Sequence, residues 1–241
     1  MTIEGRIRGM AEGGKFRDFS MRTLGVAPGK YGEGDTVLGV RAPLLRGLVR
    51  QSMGTLSKEE LRGLLASPVH EVRLFALFYL GDDRDKARAL ELYLEALDNG
   101  RVDNWDLVDA SAHKIAGRHA FENGDAKLLR RLADAPDLWK NRAAIVSQLY
   151  FVRRGSIGLI LEHAEKFAAH PHELIHKACG WLLREAWKAD PRRVEKFLRE
   201  NALALPRITM SYACERMDAR ARKSLQALRK REGESGADGG T

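Results

Sequence analysis

Pro136-Asp-Leu-Trp-Lys-Asn-Arg142, Pro171-His-Glu-Leu-Ile-His-Lys177 and Pro206-Arg-Ile-Thr-Met-Ser-Tyr212 begin at prolines spaced 35 residues apart, and Pro68 lies 68 residues before Pro136. A fixed period of this size is the mark of a helical repeat array. Each proline precedes an apolar helical pattern, where proline suits a first helical turn. The rows align as Val72-Arg73-Leu-Phe-Ala76, Val108-Asp109-Ala-Ser-Ala112, Asn141-Arg142-Ala-Ala-Ile145, His176-Lys177-Ala-Cys-Gly180 and Ser211-Tyr212-Ala-Cys-Glu215. One column then reads Arg73, Asp109, Arg142, Lys177, Tyr212, with small residues after it in most rows. Small side chains let helices approach closely, and the polar column would line one concave face. The expected fold is all-α, a curved array of helical repeats, or α-solenoid.

Outward from these rows the pattern stays helical. Ser57-Lys-Glu-Glu60 reads as a capping box opening a helix to about Ala66. Helices are predicted near 43–53, 68–80, 83–98, 103–118, 125–134, 137–152, 156–169, 171–188, 191–203 and 206–217, with a basic helix from 218 to about 231. Gly81-Asp-Asp, Gly100, Gly124-Asp and Gly155-Ser mark turns. Gly29-Lys-Tyr-Gly-Glu-Gly-Asp35 reads as a loop, and the residues before Gly25 give no clear pattern. No alternating strand pattern stands out. The expectation is one repeat domain over 1–231 and a disordered tail over 232–241.

Composition narrows the class. The chain has 241 residues, 44% hydrophobic and 31% charged, enough for a sizeable core. No apolar run approaches a membrane span, and the N-terminus lacks a signal-peptide core. Two cysteines, Cys179 and Cys214, make no disulfide framework. A cytoplasmic monomer is expected. The net charge is +8, and residues 205–231 supply +6 of it through Arg207, Arg216, Arg220, Arg222, Lys223, Arg229, Lys230 and Arg231 against Glu215 and Asp218. That block points to phosphate contact. Arg73, Arg142 and Lys177, at the repeat period, form a candidate ladder along an extended polyanion.

Chemistry concentrates in Asp103-Asn-Trp-Asp-Leu-Val-Asp109. Residues four apart share a helix face, so Trp105 and Asp109 project side by side. An electron-rich ring and a carboxylate suit a substrate that carries or develops positive charge. A core Trp beside an exposed acid is the plain alternative. Trp181 follows Lys177 by four residues and could supply a second aromatic wall. His172-Glu-Leu-Ile-His176 matches the H-E-x-x-H zinc motif, with Glu195 as a third ligand and Glu173 as base of a zinc peptidase. The repeat register argues against metal. His172 directly follows Pro171, and His176 fills the row of Val72, Val108 and Asn141.

Four segments taken together resemble the DNA alkylation-repair glycosylases built from HEAT-like repeats, the AlkD type. They are Val37-Leu-Gly-Val-Arg-Ala-Pro43, Asn104-Trp-Asp-Leu-Val-Asp109, Leu138-Trp-Lys-Asn-Arg-Ala-Ala144 and Lys177-Ala-Cys-Gly-Trp-Leu-Leu-Arg-Glu185, and the likeness spans about 35–217. It implies a curved array of HEAT-like repeats acting on double-stranded DNA with alkylated bases, without metal or other cofactor. It implies that Asp109 is the catalytic carboxylate, with Arg142 beside it and Trp105 and Trp181 around the lesion. Arg73, Lys177, Arg184 and Arg207 are then expected to bind DNA. Family members place an aromatic residue in an early helix to enclose the lesion. Here that place holds Lys30-Tyr-Gly-Glu-Gly-Asp35, so Tyr31 is the candidate. The implied reaction is hydrolysis of the N-glycosidic bond of cationic purines such as 3-methyladenine or 7-methylguanine. The alternatives are a non-catalytic relative that binds damaged or branched DNA, a protein-interaction scaffold, and the zinc peptidase.

Overall fold

The structure, a computed structural model, describes residues 2–12 and 14–235. It is helical, and among the described residues the only β feature is an isolated bridge between Thr36 and Val69. The chain divides into two compact units, residues 1–129 and 130–241.

The first unit contains α1 (Ile3–Gly9), α2 (Gly14–Thr23), α3 (Ala42–Ser52), α4 (Lys58–Leu65), α5 (His70–Asp82), α6 (Lys86–Asp98), α7 (Trp105–Ser111) and α8 (Ala116–Glu122). Helix α5 is its axis. Every residue from His70 to Gly81 is buried, and from Leu74 to Leu80 the helix is apolar on all sides. Leu45 and Leu48 of α3, Leu61 of α4, Leu92 and Tyr93 of α6 and Leu107 of α7 complete the core. Each such side chain contributes roughly 1.5–3 kcal/mol by leaving water. The capping box at Ser57 is present in both halves. Lys58 pairs with Glu91 at 2.6 Å and Arg62 with Glu95 at 2.7 Å, so α4 and α6 lie side by side one repeat apart.

The second unit takes most of α9 (Ala126–Asp134), then α10 (Leu138–Ser147), α11 (Leu149–Val152), α12 (Gly158–Lys166), α13 (Glu173–Ala189), α14 (Pro191–Glu200), α15 (Arg207–Ala213) and α16 (Ala219–Ser235). Its core holds Ile145, Ile175, Leu182, Leu183, Val194 and Leu198. Here too ion pairs tie one repeat to the next, Arg130 to Glu162 at 2.7 Å and Lys166 to Asp134 at 2.6 Å. Helices α13 and α15 come close together at Gly180. A Cβ there would stand 2.6 Å from the Thr209 carbonyl oxygen and from Tyr212 Cβ.

The repeat period read from the prolines reappears in the helix starts, at His70 and Trp105 in the first unit and at Leu138, Glu173 and Arg207 in the second. The prolines lie just outside those helices. Pro68, Pro136 and Pro171 precede them by two residues, and Pro206 is the N-cap of α15. First-turn positions are taken by Pro43 and Pro191.

Two expected helices are interrupted. The 103–118 stretch ends as α7 at Ser111, whose hydroxyl donates to the Leu107 carbonyl at 2.6 Å. A turn follows, and the Gly117 N–H reaches back to the Ala112 carbonyl. His113 lies in that turn, past the end of α7. The 137–152 stretch breaks at Gln148 between α10 and α11. Helices α1 and α2 fill the segment without a clear pattern. Helix α2 buries no residue, so its apolar periodicity is faint. Helix α16 continues to Ser235, four residues into the stretch expected to be tail, and residues 236–241 lie outside the described residues.

Candidate active site

Helix α7 opens on the residues expected to carry the chemistry. Asn104 is extended (φ −144°, ψ 153°) and places Trp105 in the first turn. Asp106 Oδ1 accepts the Leu107 N–H at 2.8 Å, and an acid at this end complements the helix dipole. Trp105 and Asp109 follow one another by a single turn, and both are half-buried. The fully buried Tyr93 senses Asp109. Burial pushes its phenol up, and the Asp109 charge adds to the effect.

The loop after α2 comes to the same place. The Thr23 carbonyl, in the last turn of α2, lacks an intrahelical partner. It accepts from Trp105 Nε1 at 3.3 Å and from the Tyr31 hydroxyl at 3.2 Å. Tyr31 and Trp105 are thus brought together on one acceptor. Gly25 makes room for the tyrosine. Its φ is +67°, and a Cβ would stand 2.8 Å from Tyr31 Cζ. Asn104 Nδ2 donates to the next carbonyl, that of Leu24, at 2.9 Å. A Cβ on Gly32 would stand 2.4 Å from that oxygen.

Behind this wall lies a charge cluster that sequence reading missed. His70, 2% exposed, meets Asp35 through Nδ1 at 2.6 Å and Asp106 through Nε2 at 2.8 Å. Burial alone would lower the His70 pKa. The hydrogen bonds and charges of Asp106 and Asp35 outweigh it and raise the value to about 10. Burial likewise opposes ionisation of Asp35, but His70 and then Arg73 hold its carboxyl below the usual range. Arg73 Nη2 reaches both Asp35 oxygens at 3.1 Å and Asp103 at 2.9 Å. Glu71, also buried, accepts the backbone N–H groups of Leu38, Gly39 and Val40 and fastens that segment to α5. Two sequence signals could have exposed the cluster. Asp103 and Asp106 flank the tryptophan, and His70-Glu71 follows the first periodic proline.

Arg73 does not fit its expected role. It is 2% exposed and its guanidinium is committed to two aspartates and the Ser67 carbonyl, so it is an internal counter-ion and not a phosphate ligand. In the second unit Arg142 is 5% exposed, with Nη1 donating to the Leu174 carbonyl at 2.6 Å. Lys177 stays partly exposed and pairs with Glu173 at 2.7 Å. Arg184 is largely covered and bonded to Glu215. Arg207 is exposed at the start of α15, and Trp181 is half-buried on α13. The polar column is therefore mixed in exposure and not a uniform ladder.

The zinc motif has other work. His172 is the N-cap of α13, its Nδ1 accepting the Leu174 N–H at 3.1 Å. Burial lowers the His176 pKa, and Glu195 is paired with Arg199 at 2.6 Å. Among the described residues no three His, Cys, Asp or Glu side chains come together as a metal would need. Nor is any helix long and apolar enough to cross a membrane.

Comparison with curated proteins finds no match. Among solved structures, a "Predicted DNA alkylation repair enzyme from Enterococcus faecalis" shares the fold, with a TM-score of 0.67 at 20% identity, covering 85% of this chain and 96% of that one. The family model described as DNA alkylation repair enzyme matches residues 7–217, which include α7, the Tyr31 loop and the charge cluster. This chain belongs to the DNA alkylation repair enzyme family.

Proposed function

We propose that this member of the family is a DNA glycosylase that hydrolyses the N-glycosidic bond of cationic alkylated purines in duplex DNA, of the 3-methyladenine and 7-methylguanine type. The observation that supports it is the half-buried Asp109 one turn from Trp105, with Tyr31 sharing the Trp105 acceptor. Alkylation at a ring nitrogen gives the base a positive charge. The C1′–N bond then breaks with its electron pair leaving on the base, which departs neutral. The sugar becomes an oxocarbenium ion, water adds at C1′, and the added water loses a proton. The activated leaving group calls for no metal or organic cofactor.

In this reading Asp109 stabilises the oxocarbenium ion and orients the water. A unit charge about 4 Å away is worth about 4 kcal/mol at an effective dielectric of 20. Trp105 and Tyr31 offer ring faces to the cationic lesion or its sugar. In the second unit Lys177 and Arg207 are proposed to hold phosphates and Trp181 to contact DNA, whereas the buried Arg142 bonds within the protein. The deciding experiment is release of free 7-methylguanine from a defined duplex with enzyme in excess. Release no faster than the spontaneous rate would leave a DNA-binding protein without glycosylase activity.

A further inference from the structure

We infer that His70 is a positioning residue for the Tyr31–Trp105 wall, its imidazolium fixing the loop that carries Tyr31 against the first turn of α7. The functional consequence rests on the proposed glycosylase activity; the geometric claim does not.

Asp35 follows Tyr31 by four residues, and Asp106 directly follows Trp105. One ring joins the two, Nδ1 to Asp35 at 2.6 Å and Nε2 to Asp106 at 2.8 Å, inside a side chain that is 2% exposed. Two carboxylates on opposite edges require two donors, and only the protonated ring supplies them. Arg73 braces Asp35 from α5 and Asp103 from the approach to α7. Glu71 faces away, toward the backbone of residues 38–40. The His70 N–H also donates to the Thr36 carbonyl at 2.9 Å, so residue 70 holds the end of the loop with backbone as well as side chain. Asn104, 0% exposed, supplies the second clamp through the Leu24 carbonyl. His70 would act by setting where Thr23, Tyr31 and Trp105 meet.

No neutral residue reproduces this clamp. Glutamine has one amide nitrogen, and its oxygen would face a carboxylate and repel it. A misplacement of about 1 Å at a reacting centre can cost about a hundredfold in rate.

The test combines His70→Gln with Asp106→Asn, which is nearly isosteric and sits at the 21% exposed end of the clamp. The primary readout is the ¹H–¹⁵N indole resonance of Trp105, assigned with Trp105→Phe. It should shift or broaden in both variants. Single-turnover excision of 7-methylguanine should fall by about 10- to 100-fold, while affinity for duplex DNA should change by less than about threefold. Leu48→Ala, in the core of the same unit, is the control for general destabilisation and should leave the Trp105 resonance in place. An unchanged Trp105 resonance in both variants would overturn the inference, whatever the DNA assays show. A shifted resonance with an undiminished excision rate would overturn it as well. If the wild type excises nothing, the glycosylase reading fails while the resonance still decides whether His70 positions the wall.

Discussion

Trp105 and Tyr31 donate to the same atom, the carbonyl oxygen of Thr23, at 3.3 and 3.2 Å. They come from segments separated by four helices, and nothing in their linear spacing links them. The last turn of α2 does so by offering an acceptor that its own helix cannot use.

Tyr31→Phe removes one donor from that arrangement and keeps the ring. A single neutral hydrogen bond is worth about 1 kcal/mol net. Excision should fall a few-fold, with stability reduced by a similar small amount. Gly25→Ala is more severe. The residue has φ +67°, and the added carbon would stand 2.8 Å from the Tyr31 ring. Both effects displace the tyrosine, so excision should drop below that of Tyr31→Phe. Single-turnover assays beside urea denaturation check the order.

Arg73 and Lys177 occupy one sequence column and should behave oppositely. Arg73→Ala leaves Asp35 buried beside an empty space. Breaking a buried pair by removing one partner costs about 3–5 kcal/mol. Its DNA affinity, measured where the protein is folded, should keep the wild-type salt dependence. Lys177→Ala should cost little stability, because an exposed i,i+4 pair is worth only a few tenths of a kcal/mol. It should lower the slope of log affinity against log salt by about one. Urea denaturation and a salt titration separate the two.

This contrast shows what the sequence could carry. Helix starts, the capping box at Ser57 and the Trp105/Asp109 spacing all come from local pattern, and local pattern is written in neighbouring residues. Arg73 aligned with Lys177 by period, yet period does not reveal burial. Its fate depended on Asp103, just before α7, and on Asp35, brought to it by a glycine-rich loop with no periodicity to read. The break of α7 at Ser111 was similarly hidden. A serine hydroxyl bonding back to Leu107 and a reach from Gly117 to Ala112 decide it, and neither bond shows in the apolar pattern.

Stability should fall as pH rises above neutrality, and His70 should be the cause. Its pKa is about 10 in the folded protein, against an ordinary value of 6.5. A raised value means that the folded state holds a proton the unfolded state has released. The stabilisation is complete below about pH 6.5 and is lost progressively as pH climbs through about 10. The slope can reach about 1.4 kcal/mol per pH unit for one proton. Asp35 has the opposite sign. Its lowered pKa stabilises the fold above its ordinary value of 3.8, and that contribution disappears in acid. Urea denaturation at pH 6, 7.5 and 9 should show the decline in the wild type and a much flatter line in His70→Gln. Parallel lines would mean that another group carries the proton.

Gly180→Ala probes the second unit alone. The new carbon would lie 2.6 Å from a backbone oxygen of α15, which cannot swing aside as a side chain would. Helices α13 and α15 must separate, and overpacking of this kind costs about 1–3 kcal/mol. The thermal transition should move down by several degrees.

Asp109→Asn tests the chemistry most directly. Asparagine keeps the size of the side chain and removes the negative charge that opposes the oxocarbenium ion. Losing one preorganised electrostatic group commonly costs two to three orders of magnitude, so single-turnover excision of 7-methylguanine or 3-methyladenine should fall by about 100- to 1000-fold. Affinity for duplex DNA should hold or rise slightly, because a carboxylate near phosphates repels them in the ground state. Trp105→Ala should be milder in rate, since it loses a ring contact worth about 0.5–2 kcal/mol and some positioning. Enzyme must exceed a duplex with a single defined lesion, so that product release does not mask bond cleavage. A wild-type rate in Asp109→Asn would remove the carboxylate from the mechanism. A rate lost together with DNA affinity would assign Asp109 to binding and not to the transition state.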